Sequence, residues 1–196
     1  MASQIEICNL ALTELGQPHI TALGSGEAGR FFAANYENIL LAALRSHVWG
    51  FAKARASLPA LASTPIGYSY EYALPEGYLR ALQVGDYSPG LSLTHYRDNE
   101  KEIFAIEQGK ILTDMAAPLY LQYIKRVPEG QFDPIFVVAF ACQLASSGCY
   151  RITNSNSKQD RVDQKLKETM DTARNIGAIE IPPKKLPDDE WVMSRL

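Results

Sequence analysis

The sequence carries no surplus of basic residues. Nineteen Lys and Arg stand against 22 Asp and Glu, giving a formal charge of −3 and a pI near 5.6. No overall positive field is therefore available to hold nucleic acid by counterion release, which argues against a sequence-specific DNA binder. Long apolar runs are missing too. The longest, Ile135 to Cys142, falls well short of the ~20 residues that cross a bilayer. The start, MASQIEICNL, has neither the basic residues nor the apolar stretch of a leader, so the expectation is synthesis in the cytoplasm and no membrane partner. Cysteine is sparse: Cys8, Cys142 and Cys149 are the only three. They form no C-x-x-C and fall in helix-like segments, so they read as reduced, buried small hydrophobes. With 11 prolines and 13 glycines in 196 residues, 46% of them hydrophobic, the chain is neither disordered, collagen-like nor disulfide-stapled. Its length suits one domain with room for a sizeable insertion.

Signatures of catalysis are also lacking. There is no G-x-S-x-G, and no pair of acids is singled out for glycoside hydrolysis. His19, His47 and His95 sit in separate segments with neither an i,i+4 pair nor H-E-x-x-H, so a metal site would need assembly by tertiary contact alone. One motif is present literally: Gly24-Ser25-Gly26-Glu27-Ala28-Gly29 matches G-x-G-x-x-G at a helix start. Its context is wrong for a dinucleotide, because a helix and the short stretch His19 to Leu23 precede it. The strand after the helix, Trp49 to Leu58, also offers no acid for a ribose. It reads as a glycine-rich loop between two helices. The expectation is no enzyme, no metal and no cofactor.

What is present is a change of period along the chain. Ser3-Gln4-Ile5-Glu6 is a capping box, and Ile5, Cys8, Leu12 and Leu15 recur at helical spacing until Gly16 and Pro18. A second helix is predicted from Ser25 to His47, with Ala28, Phe32, Tyr36, Ile39, Leu40 and Ala43 on one face and Arg30, Glu37, Leu41 and Arg45 on the other. Leu41 is then either an isolated exposed apolar residue or the mark of a neighbouring subunit. From Trp49 to Arg126 the period is two, with short antiparallel strands at Tyr68–Tyr72, Tyr78–Val84, Leu91–His95 and Tyr120–Ile124. The turns between them are Gly85-Asp86, Ser88-Pro89-Gly90, Asp98-Asn99 and Gln108-Gly109. Tyr68, Tyr70 and Tyr72 read as cross-strand partners rather than a base- or sugar-stacking row. Asp133-Pro134 opens a third helix, apolar nearly all round through Leu144 and hence central. A fourth is predicted from Ser157 to Ile176, with Gly177 just beyond its end.

The fold class is therefore α+β: a four-helix bundle-like domain (1–48 and 127–177), an inserted antiparallel β domain (49–126) and an extended C-terminal arm (178–196). The arm is broken by Pro182, Pro183 and Pro187 and punctuated by Ile179, Ile181, Leu186, Trp191, Val192 and Met193. That pattern suggests a segment that orders on binding, the alternative being one that folds back on its own domain.

Several pieces, in order, carry a family likeness: Ala11-Leu12-Thr13-Glu14-Leu15-Gly16-Gln17-Pro18, Leu44-Arg45-Ser46-His47-Val48-Trp49-Gly50-Phe51-Ala52, Leu74-Pro75-Glu76-Gly77-Tyr78-Leu79-Arg80, and Phe132-Asp133-Pro134, with Trp191 to Arg195 behind them. In these the chain resembles tail tubular protein A, the head-to-tail adaptor family of short-tailed bacteriophages and their prophages. The resemblance implies a non-enzymatic virion protein at the head–tail junction. It implies a ring, a dodecamer, between the portal protein and a tail nozzle protein of the tail tubular protein B type, with tail fibres nearby and genomic DNA passing through the lumen. A conduit should not grip DNA, and the mixed-sign helix surfaces agree. A closed ring needs two different patches per chain. Candidate portal or subunit contacts are Leu41, Ile179, Ile181, Leu186, Trp191, Val192, Met193 and Arg195. The readings from other classes are a tail-associated cell-wall or polysaccharide hydrolase, which a turnover assay would reveal, and a cytosolic nucleotide-binding helical domain, which would be a monomer with nucleotide affinity.

Overall fold

The computed structural model describes residues 2–63, 65–85 and 104–179. The strand expected at Leu91–His95, the turns at Ser88 and Asp98, and the arm from residue 180 onward lie outside the described residues. What is described is a mixed α and β protein with four helices and two small antiparallel sheets.

Ser3 opens α1 (Gln4–Leu15). Its hydroxyl accepts the Glu6 N–H at 3.3 Å while the Glu6 carboxylate takes the Ser3 N–H at 2.7 Å, the reciprocal pair expected from the sequence. Gly16, at φ +63°, ends the helix and donates to the Leu12 and Thr13 carbonyls. The buried stripe is Ile7, Cys8, Ala11, Leu12 and Leu15, with Ile5 half-buried at its rim. α2 (Gly26–Ser46) buries Phe31, Phe32, Tyr36, Leu40, Ala43 and Leu44.

α3 (Pro134–Thr153) begins as anticipated: Asp133 Oδ1 accepts the N–H groups of Ile135 and Phe136 at 2.8 and 3.3 Å, with Pro134 in the first turn. It then runs past Leu144 and through Gly148. Glycine is required there by packing, since a Cβ would come within 2.8 Å of the Phe31 ring. α4 (Asn156–Ile179) also overruns its expected end. Gly177 lacks the positive φ of a helix stop. A glycine in ordinary helical geometry costs a helix about 1 kcal/mol without ending it. Ala178 and Ile179, assigned to the arm by sequence, are therefore the last residues of α4. α3 is the hub, packing against α1, α2 and α4. By length and composition α3 is apolar enough to cross a membrane, but 56% of its most apolar window is buried inside the protein, so that surface is used by the core.

The six strands among the described residues lie between α2 and α3 in the chain. A 3-10 turn at Gly50–Ala52 leads into β1 (Lys53–Leu58), followed by β2 (Tyr70–Ala73), β3 (Tyr78–Val84), β4 (Phe104–Glu107), β5 (Lys110–Thr113) and β6 (Leu119–Lys125). One sheet has the order β1-β6-β3 and the other β2-β5-β4. β4 and β5 form a hairpin turned by Gln108 and Gly109, both at positive φ, the geometry that fits strand twist. Tyr68 falls outside β2. Tyr72 is buried and donates to the Met115 carbonyl at 2.6 Å, so the tyrosine row is no stacking platform.

Two apolar cores result. The larger joins the four helices, and the smaller lies among Leu58, Tyr72, Val84, Ile111, Leu119, Leu121 and Tyr123. β6 contributes to both: Leu119, Leu121 and Tyr123 enter the sheet core, while Ile124 enters the helical one. This follows from strand alternation, which sends neighbouring side chains to opposite faces.

Candidate assembly surface

Of the segments quoted for the expected resemblance, those among the described residues sit at structural junctions. Trp49 is buried at the centre of an aromatic hub. Its ring meets His47 and Phe136 edge-on at 4.8 Å, Phe51 stacks against it, and its indole N–H donates to the Ala43 carbonyl at 3.0 Å. Phe51 and Phe132 pack together on Phe136. Leu74-Pro75-Glu76-Gly77 brings the chain into β3, with the Gly77 carbonyl taking the Arg126 N–H at 2.8 Å.

The sheets are tied to the helices by Arg126. Its guanidinium grips both Glu37 oxygens of α2 at 3.1 Å, reaches Glu129 at 2.8 Å, and donates to the Val127 carbonyl. Burial would raise the Glu129 pKa, but the Arg126 hydrogen bond and charge outweigh it and hold the carboxyl low. Arg45 donates to the Leu79 carbonyl of β3. Leu41 lies on the same helix face, one turn from each of Glu37 and Arg45, and is half-buried. The charged face of α2 is turned toward strands, which the sequence did not reveal.

The second sheet has its own buried carboxylate. Glu71 accepts from the Ser63 hydroxyl and from Lys110 at 2.9 Å. These bonds, Ser63 first, hold its pKa low despite burial. A carboxylate stabilised in its charged form is a weak base, so the trio acts as a clamp between the 60s segment, β2 and β5 rather than as an activated nucleophile.

The glycine loop is explained by its backbone. Gly24 and Gly26 have positive φ, the Gly24 N–H donates to the Gly29 carbonyl at 2.9 Å, and a Cβ on Gly29 would press on the Gly24 backbone at 3.2 Å. The Gly24 N–H is thus already used within the loop. His19 bonds Thr13 at 2.9 Å, and among the described residues no group of three or more His, Cys, Asp or Glu could hold a metal ion. Cys8, Cys142 and Cys149 are free and buried, and burial pushes the Cys8 thiol up to about 12.

Large apolar side chains stand exposed on separate parts of the protein. Ile66, Tyr70 and Ile106 belong to the β2-β5-β4 side, Tyr120 to the other sheet, and Val138, Tyr150 and Ile179 to the helices. Of the sequence-stated contacts, Ile179 is 84% exposed at the end of α4. Ile181, Leu186, Trp191, Val192, Met193 and Arg195 lie outside the described residues. The sequence singled out none of Ile66, Tyr120 or Tyr150, and a local pattern of one apolar residue among polar ones would not have distinguished them from half-buried positions. No protein-family model matches the chain, and no curated protein matches it.

Proposed function

We propose that this chain is a structural adaptor of the tail tubular protein A type. It forms a dodecameric ring at the head–tail junction of a short-tailed phage virion, between the portal and the nozzle protein, with tail fibres adjacent. Genomic DNA passes through its lumen, and the chain itself performs no catalysis. In this reading the helices form one bundle-like domain, the strands an inserted β domain, and the residues after α4 an extended docking arm.

The observation that carries the reading is the place of the resembling segments. The four that fall among the described residues are helix caps, an aromatic hub and a strand entry, positions that build the architecture. Support comes from exposed apolar side chains on both sheets and helices. Ring closure by a heterologous contact needs two unlike patches on each copy, and scattered patches of this kind supply them. The chain is expected to be monomeric alone and to form a ring of defined mass when mixed with its portal, measured by size exclusion with light scattering. A monomer that ignores the portal overturns the proposal.

A further inference from the structure

Strand alternation puts Tyr120, Gln122 and Ile124 of β6 on one face of the β1-β6-β3 sheet, away from the sheet core that takes Leu119, Leu121 and Tyr123. The register fills that face in rows: Ser57 beside Tyr120, Arg55 and Gln83 on either side of Gln122, and Lys53 and Arg80 on either side of Ile124. These rows hold three cations and no acid, in a chain whose net charge is −3. Gln83 owes its place to a bulge after Ala81, which sets it, rather than Leu82, opposite Gln122. The helical core covers the face at Ile124, whereas Tyr120 is 65% exposed. Here the sheet carries a cavity of about 360 Å³ whose polar lining is Arg55, Ser57, Gln83, Tyr120 and Gln122, a volume in the range of small-ligand sites.

The hydrogen-bonding groups of this lining are unspent. Among the described residues the side chains of Arg55, Ser57, Tyr120 and Gln122 make no hydrogen bond or ion pair. Gln83 donates its amide N–H to the Gly85 carbonyl at 3.0 Å, which leaves its side-chain oxygen as an acceptor. A matching ligand brings one negative charge for Arg55, together with groups that both donate and accept. A phosphodiester backbone brings acceptors alone, and single-stranded nucleic acid stacks on successive rings, whereas Tyr120 is the one ring in this lining. An extended peptide adds to a free strand edge, and β6 is central, its ladder spent on β1 and β3. We propose that the cavity binds an acidic sugar, a pyranose carrying one carboxylate, as in a uronic-acid polysaccharide. The carboxylate lies on the Arg55 guanidinium, the hydroxyls on Gln83, Gln122 and Ser57, and the C–H face of the ring on Tyr120. The lining contains no carboxylate, so it lacks the acid pair of glycoside hydrolysis and holds the sugar without cutting it. Nothing in this inference rests on the adaptor reading, and it is tested on the free subunit.

The test titrates trigalacturonate into the isotope-labelled full chain, with its methyl ester, inorganic phosphate and a thymidylate oligonucleotide as comparators. The expected result is a saturable shift of the Arg55, Gln83, Tyr120 and Gln122 amide signals, with the uncharged ester binding about tenfold more weakly. Arg55→Gln erases the difference between acid and ester, and Tyr120→Ala weakens both. Both side chains are exposed, so the melts of the two variants should match that of the unchanged chain. The absence of a saturable shift at these four amides overturns the proposal, as does equal binding of acid and ester. A response to phosphate equal to that of the sugar would reduce the site to a bare anion contact, and tighter binding of the oligonucleotide would assign it to nucleic acid; either result overturns the proposal as well.

Discussion

Tyr36 and Glu71 show how differently two buried polar groups can be served. The Tyr36 hydroxyl is buried near Glu129 and makes no hydrogen bond of good geometry among the described residues; burial first, and then the charge of Glu129, push its pKa up. A buried unsatisfied hydroxyl is a net cost, so Tyr36→Phe is expected to leave stability unchanged or raise it by up to about 1 kcal/mol in urea unfolding. A clear loss would mean that the hydroxyl donates to Glu129 in solution. Glu71 is satisfied, and its lowered pKa makes it a pH-dependent contributor. Its stabilisation is fully present above the unfolded carboxylate value of about 4.3 and is lost as pH falls through the lower folded value. Glu71→Gln should therefore flatten the acid limb of the stability profile below about pH 4.3 while leaving the slope near neutrality unchanged. Melts taken across that range check this.

Elements were legible where the cause was local and illegible where it was tertiary. The capping box at Ser3, the Asp133-Pro134 start and the Gln108-Gly109 turn are each written within four residues, and each stands where the sequence placed it. Gly177 read as a helix stop, yet it is an ordinary helical residue, and the need for Gly148 is set by the distant Phe31 ring. Leu41 read as free because nothing nearby in sequence announces that Glu37 will meet Arg126, 89 positions away. That junction has a measurable weight. Arg126→Ala leaves Glu129 half-buried without its cation and is expected to cost about 1–2 kcal/mol, read by chemical denaturation. Within the glycine loop, Gly26→Ala places a side chain at φ +69° and should cost about 1 kcal/mol or more, with no nucleotide affinity before or after the change by calorimetry. Micromolar binding of NAD or ATP to the unchanged chain would reverse the reading of this loop.

At the scale of the whole molecule, the proposed adaptor role predicts that assembly and folding are separable. Trp191→Ala is expected to abolish stable attachment to the portal, since removing an anchoring tryptophan commonly costs on the order of 2 kcal/mol, more than tenfold per contact. The melt of the isolated subunit should move little. Survival of attachment together with a fall of many degrees in the melt would make the tail part of the subunit's own core. The melt itself reports on β6, the strand that serves both apolar cores. A strand held by β1 and β3 on its two edges and by different cores on its two faces cannot be released from one without being released from the other. The helical and sheet regions should then unfold as one cooperative unit. Calorimetric and van't Hoff enthalpies would coincide, and the amides of Leu121 and Tyr123 would exchange with deuterium only through complete opening of the chain.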